Sequence, residues 1–178
     1  MLLRFNIADM ERASDEWGCN CGPSALAAVT GRTLEEIRPL MGDFEKKRYT
    51  NPTLMLACLN RAGATWNEIE GIPTHGLLRI QWEGPWTEPG VPIRVRYRHT
   101  HWVGIQQSER MGISFPGKIS PGAGIFDCNA MNSGGWIAFS DWAGVLVPWI
   151  IKECVPRANG RWHITHRLQV DVHNDHNI

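Results

Sequence analysis

The sequence predicts an α+β protein in which N-terminal helices pack against a C-terminal antiparallel β-sheet. Two textures predict it: capped stretches rich in helix formers fill the first third, whereas from Thr65 onward the chain turns to Trp-, Gly- and Pro-punctuated segments with β alternation. No repeat or low-complexity linker divides it. The 178 residues therefore read as one domain over 1–178, with 173–178 as a fraying tail.

The first helix expected follows Cys21-Gly22-Pro23, where Ser24-Ala25-Leu26-Ala27-Ala28-Val29 favours helix and Pro23 stands in a first turn that tolerates a missing N–H. Gly31 ends it. Thr33-Leu34-Glu35-Glu36 is a capping-box pattern, with Leu34, Ile37 and Met41 at helical spacing after it. Asn51-Pro52-Thr53 supplies a cap and a first-turn proline for a third helix, whose Leu54, Leu56, Cys58 and Leu59 bury one side before Gly63 closes it. Strands are expected over 91–97, 100–105, 124–127 and 162–172, with 108–123 as a Gly- and Pro-rich connecting loop. Ser140-Asp141-Trp142 can cap a short helix running to Val147.

Composition excludes several classes. Eighteen Lys+Arg balance eighteen Asp+Glu, so no long-range field draws the chain to phosphate, and Lys46-Lys47-Arg48 and Arg94/Arg96/Arg98 are short and flanked by acids or apolar residues. Nucleic acid is a disfavoured partner. The longest apolar stretch, near 145–151, is interrupted by Pro148 and falls far below the ~20 residues of a spanning helix, and the N-terminus has no signal-peptide core, so no membrane partner and a cytoplasmic location are expected. Five cysteines in a chain of this length read as thiols. Cys19-Asn20-Cys21 and the spacing of His163, His166, His173 and His176 match no metal-ligand set, so neither metal nor other cofactor is expected.

The residues that can do chemistry start at Cys21. At the first turn of a helix, unpaired N–H groups and the positive dipole end favour thiolate over thiol, the reactive form. Gly22 would leave room for a substrate beside the sulfur. A nucleophile needs a base, and His101, heading the apolar run Trp102-Val103-Gly104-Ile105, can supply it, with His99 as its alternative two positions upstream. Asp127, ending Gly124-Ile125-Phe126-Asp127, can orient the imidazole; Asn129 is the alternative. Trp17, Trp102, Trp136 and Trp142 are candidates to wall a cleft, and Cys19 is a candidate redox partner of Cys21.

Cys-Gly-Pro-Ser-Ala-Leu-Ala at 21–27, His-Trp-Val at 101–103 and Phe-Asp-Cys-Asn at 126–129 resemble the Cys-His-Asp framework of papain-like cysteine peptidases. The similarity is closest to bacteriocin-leader-processing peptidases and to small papain-like proteins of bacteria and phages, and it spans roughly residues 15–150. The resemblance implies a papain-like fold, a thiol hydrolase and a protein or peptide substrate, in the cytoplasm of a bacterial or phage-infected cell. It also implies an oxyanion donor ahead of the cysteine, usually a glutamine, yet this chain has none before Gln81. Asn20 is the nearest side-chain amide to the cysteine on that side.

Two functions are expected to compete. One is a papain-like thiol enzyme that opens an amide bond, by peptide or isopeptide hydrolysis, deamidation or transamidation. The other, prompted by the absent glutamine, is a catalytically weak or inactive papain-fold binding or inhibitor protein of phage or bacterial origin. The sequence leaves the oligomeric state open.

Overall fold

In a computed structural model, which describes residues 2–107 and 118–172, antiparallel pairing joins six strands in the order β1-β6-β2-β3-β4-β5 among the described residues. These are β1 Thr65–Glu68, β2 His75–Trp82, β3 Thr100–Gln106, β4 Gly124–Phe126, β5 Trp136–Ala138 and β6 Trp162–Asp171. Helices α1 Ile7–Trp17, α2 Cys21–Thr30, α3 Leu34–Ile37, α4 Phe44–Lys47 and α5 Pro52–Arg61 precede the sheet. A short α6 Ile93–Arg96 links β2 to β3, and α7 Phe139–Asp141 runs through a π turn, Trp142–Leu146, into α8 Val147–Cys154. Helices lie N-terminal and the antiparallel sheet C-terminal, as expected. No helix is long and apolar enough to cross a membrane among the described residues.

Local chemistry explains the helix starts. Asn20 caps α2, Thr33 and Glu36 form the capping box of α3, and Asn51 with Pro52 opens α5. Gly31 closes α2 with φ +64°, a left-handed conformation that L side chains resist. Helix α1 escapes the sequence reading, although Asn6 and Asp9 form a capping box for it as well.

One face of the sheet buries Leu77, Trp102, Phe126 and Leu168 against Leu26 and Val29 of α2 and the helices around it. The other buries Leu78, Ile80, Val103 and Ile125 against Trp142, Val147 and Ile150. Helices therefore cover both faces, not one. Strand β2, absent from the sequence reading, is the sheet's middle: it pairs with β3 and β6 and is buried from Gly76 to Trp82. Because both of its faces are covered, its sequence carries no polar alternation to read.

The expected strand over 91–97 is overturned. Pro92 caps the single turn of α6, Val95 N–H bonds to Pro92 O, and Ile93 is 72 % exposed. Its Val/Ile–Arg alternation meets no neighbouring strand, since β2 is already flanked on both sides. The expected loop over 108–123 lies outside the described residues up to 117, as does the expected fraying of 173–178.

Two irregularities position the site. Strands β3 and β4 pair only from Gly104↔Phe126 to Gln106↔Gly124, leaving the first residues of β3 without a strand on that side. Between β2 and β6 the register shifts after Arg79↔His166 to Ile80↔Ile164, so Thr165 is an extra residue on β6.

Candidate active site

Helix α2 places Cys21 at its first position, partly exposed. The Asn20 Oδ1 accepts from Gly22 N–H at 3.2 Å, and the Cys21 N–H, one of the orphan donors of a helix start, has no acceptor among the described residues. Gly22 has a different use from the one expected. A Cβ there would come within 2.2 Å of Thr50 Oγ1, so the bare backbone admits Thr50 and not a substrate.

His101 faces this helix start from the unpaired beginning of β3 and is 7 % exposed. Its Nε2 lies 2.9 Å from Asp127 Oδ2, which leaves Nδ1 as the ring nitrogen for the Cys21 sulfur, whose thiolate the His101 charge favours. The Trp102 N–H also favours the thiolate at that sulfur. Alternation along an antiparallel strand points this N–H toward the side where β4 has ended, so the gap in pairing frees the donor.

Asp127 is fully buried where β4 ends and a turn of 3-10 helix begins. Its Oδ1 accepts from the Asn129 N–H and from Asn129 Nδ2, both at 2.9 Å. Its Oδ2 accepts from His101 and, at 2.8 Å, from Trp142 Nε1. Four donors thus converge on one carboxylate, which uses the roughly four lone-pair sites such a group offers.

The electrostatics follow from this packing. Burial alone would raise the Cys21 thiol, but the charge of His101, its hydrogen bond and the Trp102 N–H outweigh burial and lower it. Burial alone would lower His101, yet Asp127 and Cys21 together raise it well above the usual imidazole value. For Asp127 burial is opposed by His101, Trp142 and Asn129, and the carboxyl falls to about 2. The opposite shifts of Cys21 and His101 favour thiolate beside imidazolium.

The other expected candidates stand elsewhere. The His99 ring packs on Trp86, with centroids 4.3 Å apart, and burial lowers its pKa. Asn129 does not replace Asp127; it donates to it. Asn20 Nδ2 bonds to Arg48 O at 3.1 Å while its carbonyl caps α2, so the side chain serves the helix start. Cys19 is buried, its thiol pushed up to about 12 chiefly by burial. Of the four tryptophans, Trp17, Trp102 and Trp142 are core residues, although Trp102 also lines a cavity at Cys21.

Sequence reasoning missed three contributors. Trp142 was seen only as a possible cleft wall, although an indole N–H at the start of a helical run is a donor seeking an acceptor. Arg79 sits 5 % exposed in β2 on the wall of the cavity beside Cys21, and a charge inside the apolar run Leu77-Leu78-Arg79-Ile80 was the signal available. Cys128 offers a thiol that, with His101 and Asp127, forms a group of potential ligand atoms within 4.8 Å of one another. The donor set does not suit a metal: the carboxylate is saturated by hydrogen bonds, and burial followed by the charges of Cys21 and Asp127 holds Cys128 as a thiol.

No protein-family model, curated protein or solved structure matches this chain.

Proposed function

We propose that this protein is a papain-like thiol enzyme that opens an amide bond through Cys21, His101 and Asp127. The observation that carries the reading is one imidazole that favours the thiolate of the helix-start sulfur and meets a buried carboxylate at 2.9 Å. The Cys21 thiolate attacks the amide carbonyl carbon, forming a C–S bond and moving the π electrons onto oxygen. The Cys21 N–H is the donor at hand for that oxyanion. As the tetrahedral adduct collapses, His101 passes its proton to the nitrogen, the C–N bond breaks and a thioester remains. Neutral His101 then takes a proton from water, or from an amine in transamidation, as that acceptor attacks the thioester; the sulfur leaves as thiolate beside the restored imidazolium. Asp127 keeps Nε2 protonated and the ring in place throughout, and Asn129 and Trp142 hold Asp127.

The test is the pH dependence of Cys21 alkylation by iodoacetamide, followed by peptide mass mapping in the wild type and in His101→Ala. The reading expects a rate that is already high below neutral pH in the wild type and lost there in the variant. An ordinary thiol titration near ~8.5 in both proteins overturns it.

A second reading, a papain-fold binding or inhibitor protein with weak or no turnover, is favoured by one observation: the Asn20 amide, the side-chain donor nearest the sulfur in sequence, is tied to Arg48 O. Cys21→Ser separates the two. Biological activity survives that change in a binding protein and is abolished in an enzyme.

A further inference from the structure

A cavity of about 450 Å³ opens beside the nucleophile, with Cys21, Thr100, Tyr97, Arg48, Arg79 and Arg98 on its walls. Three arginines and no acidic residue line it among the described residues, in a chain whose total charge is balanced. None of the three forms an ion pair with a described carboxylate. Arg48 and Arg98 are exposed, so water serves them. Arg79 is different.

Arg79 projects from the middle of β2, opposite Trp102 on β3 and His166 on β6, and its residue is 5 % exposed. One terminal nitrogen donates to Thr100 Oγ1 at 3.3 Å, and the guanidinium carbon lies 5.3 Å from the centre of the Tyr97 ring. The Nε is buried with no hydrogen-bond partner. A guanidinium kept from water with an orphaned donor and no carboxylate partner, opposed in its desolvation only by Tyr97 and the Cys21 charge, is costly to a fold. It is also the group best matched to a carboxylate, which it binds through paired N–H donors.

We propose that this cavity is a substrate subsite for a carboxylate, with Arg79 as its fixed anchor and Arg48 and Arg98 at its rim. The inference rests on the thiol-enzyme reading and gives it a substrate class: acidic peptides that present a Glu or Asp side chain, or a free chain terminus, next to the amide that Cys21 attacks. Tyr97 would cover the guanidinium face and Thr100 would hold one of its edges, leaving the remaining donors for the incoming oxygens.

The experiment measures how well four pools of N-acetylated peptides protect Cys21 from iodoacetamide: free or amidated at the C-terminus, and with a central Glu or a central Gln. The acidic member of at least one pair protects about tenfold more tightly than its neutral partner, as a charge-assisted contact of this kind implies. The pair that discriminates identifies the source, chain terminus or side chain. Arg79→Gln removes the discrimination, and high salt weakens it in the wild type. Arg79→Lys, which keeps the charge and loses the fork, retains only part of it. Should Arg79→Gln not fold, the wild-type pairs and Arg79→Lys decide.

Equal protection by neutral and acidic pools, no protection by either at millimolar concentration, or an acidic preference that survives in folded Arg79→Gln overturns the subsite. If Arg79 served only to stabilise the Cys21 thiolate, Arg79→Gln would slow alkylation without altering the ratio between pools, which also overturns it. Failure of the enzyme reading looks different: Cys21 then titrates as an ordinary thiol, whatever the pools show.

Discussion

Cys19 and Cys21 stand two positions apart, as His99 and His101 do, and each pair divides the same way. Cys19 and His99 show what burial does with no opposite charge to oppose it: the thiol is pushed up to about 12, with Cys21 and Glu35 adding to burial, and the imidazole is lowered, with Arg98 adding to it. Cys21 and His101 feel burial too, and shift in the opposite directions because each faces the other's charge. In a low-dielectric setting the partner decides the sign, and its absence leaves only the cost of desolvation. What differs between the flanking residues and the central ones is placement at a helix start and at a strand end that lacks a neighbour.

The sharpest way to break this comparison is to remove the anchor. Asp127→Ala should move His101 toward His99, its pKa falling from the wild-type value because only Cys21 then opposes burial. The unfolding free energy should drop by about 3 kcal/mol, at the low end for a buried pair that loses one partner, because imidazole can shed its proton. Urea unfolding at neutral pH and the His101 ring resonances measure both. A variant with wild-type stability and an unshifted His101 would show that the carboxylate does not hold the ring.

Trp142→Phe tests the next layer. It deletes the 2.8 Å bond to Asp127 Oδ2 and leaves the aromatic contacts with Trp162 and Phe139 largely in place, and should cost about 2 kcal/mol, the range for a hydrogen bond to a charged group. Asp127 should rise from about 2 toward its ordinary 3.8. Carboxylate titration followed by NMR reads this directly.

Acid gives a milder test. The folded Asp127 carboxyl lies below its unfolded value, so its contribution to stability is complete above about pH 4 and is lost as pH falls toward about 2. The loss should be of order 2 kcal/mol, from a shift of nearly two units at 1.36 kcal/mol each. Asp127→Asn should remove this part of the acid sensitivity. Urea midpoints between pH 2 and 5 for the two proteins make the comparison.

The smallest expected effects sharpen the contrast from the other side. Cys19→Ala and His99→Phe should each leave the pH profile of Cys21 alkylation within about twofold of wild type, since the Cys21 shift is set chiefly by burial, His101, Trp102 and Asp127. A large change in either would mean that the flanking residues belong to the reactive unit.

Much of this arrangement was legible because it is local. The Asn20 cap, the Gly31 stop and the position of Cys21 in the first turn are written in consecutive residues, and His101 and Asp127 stand out as polar ends of apolar runs. What was hidden depends on partners distant in sequence. Strand β2 shows no alternation because both its faces are covered, and 91–97 shows alternation that no strand answers. Trp142 looks like any core aromatic until the turn after β5 brings its N–H to a carboxylate fifteen residues upstream. Asn20 could be seen as an amide close to the sulfur, but not that the Arg48 carbonyl would engage it.

The extra residue in β6 has a further consequence. His166 and Leu168 point to the helix side with Trp102 and Leu77, whereas Ile164 and Trp162, also even-numbered, pack in the opposite layer with Trp142. Thr165 is thus a phase change: were it held in an unbroken ladder opposite Ile80, every residue before it would change face and Trp162 would turn away from the indole that steadies Asp127. A one-residue slip of register more than thirty positions from the triad in sequence would then loosen it, through the parity of a strand.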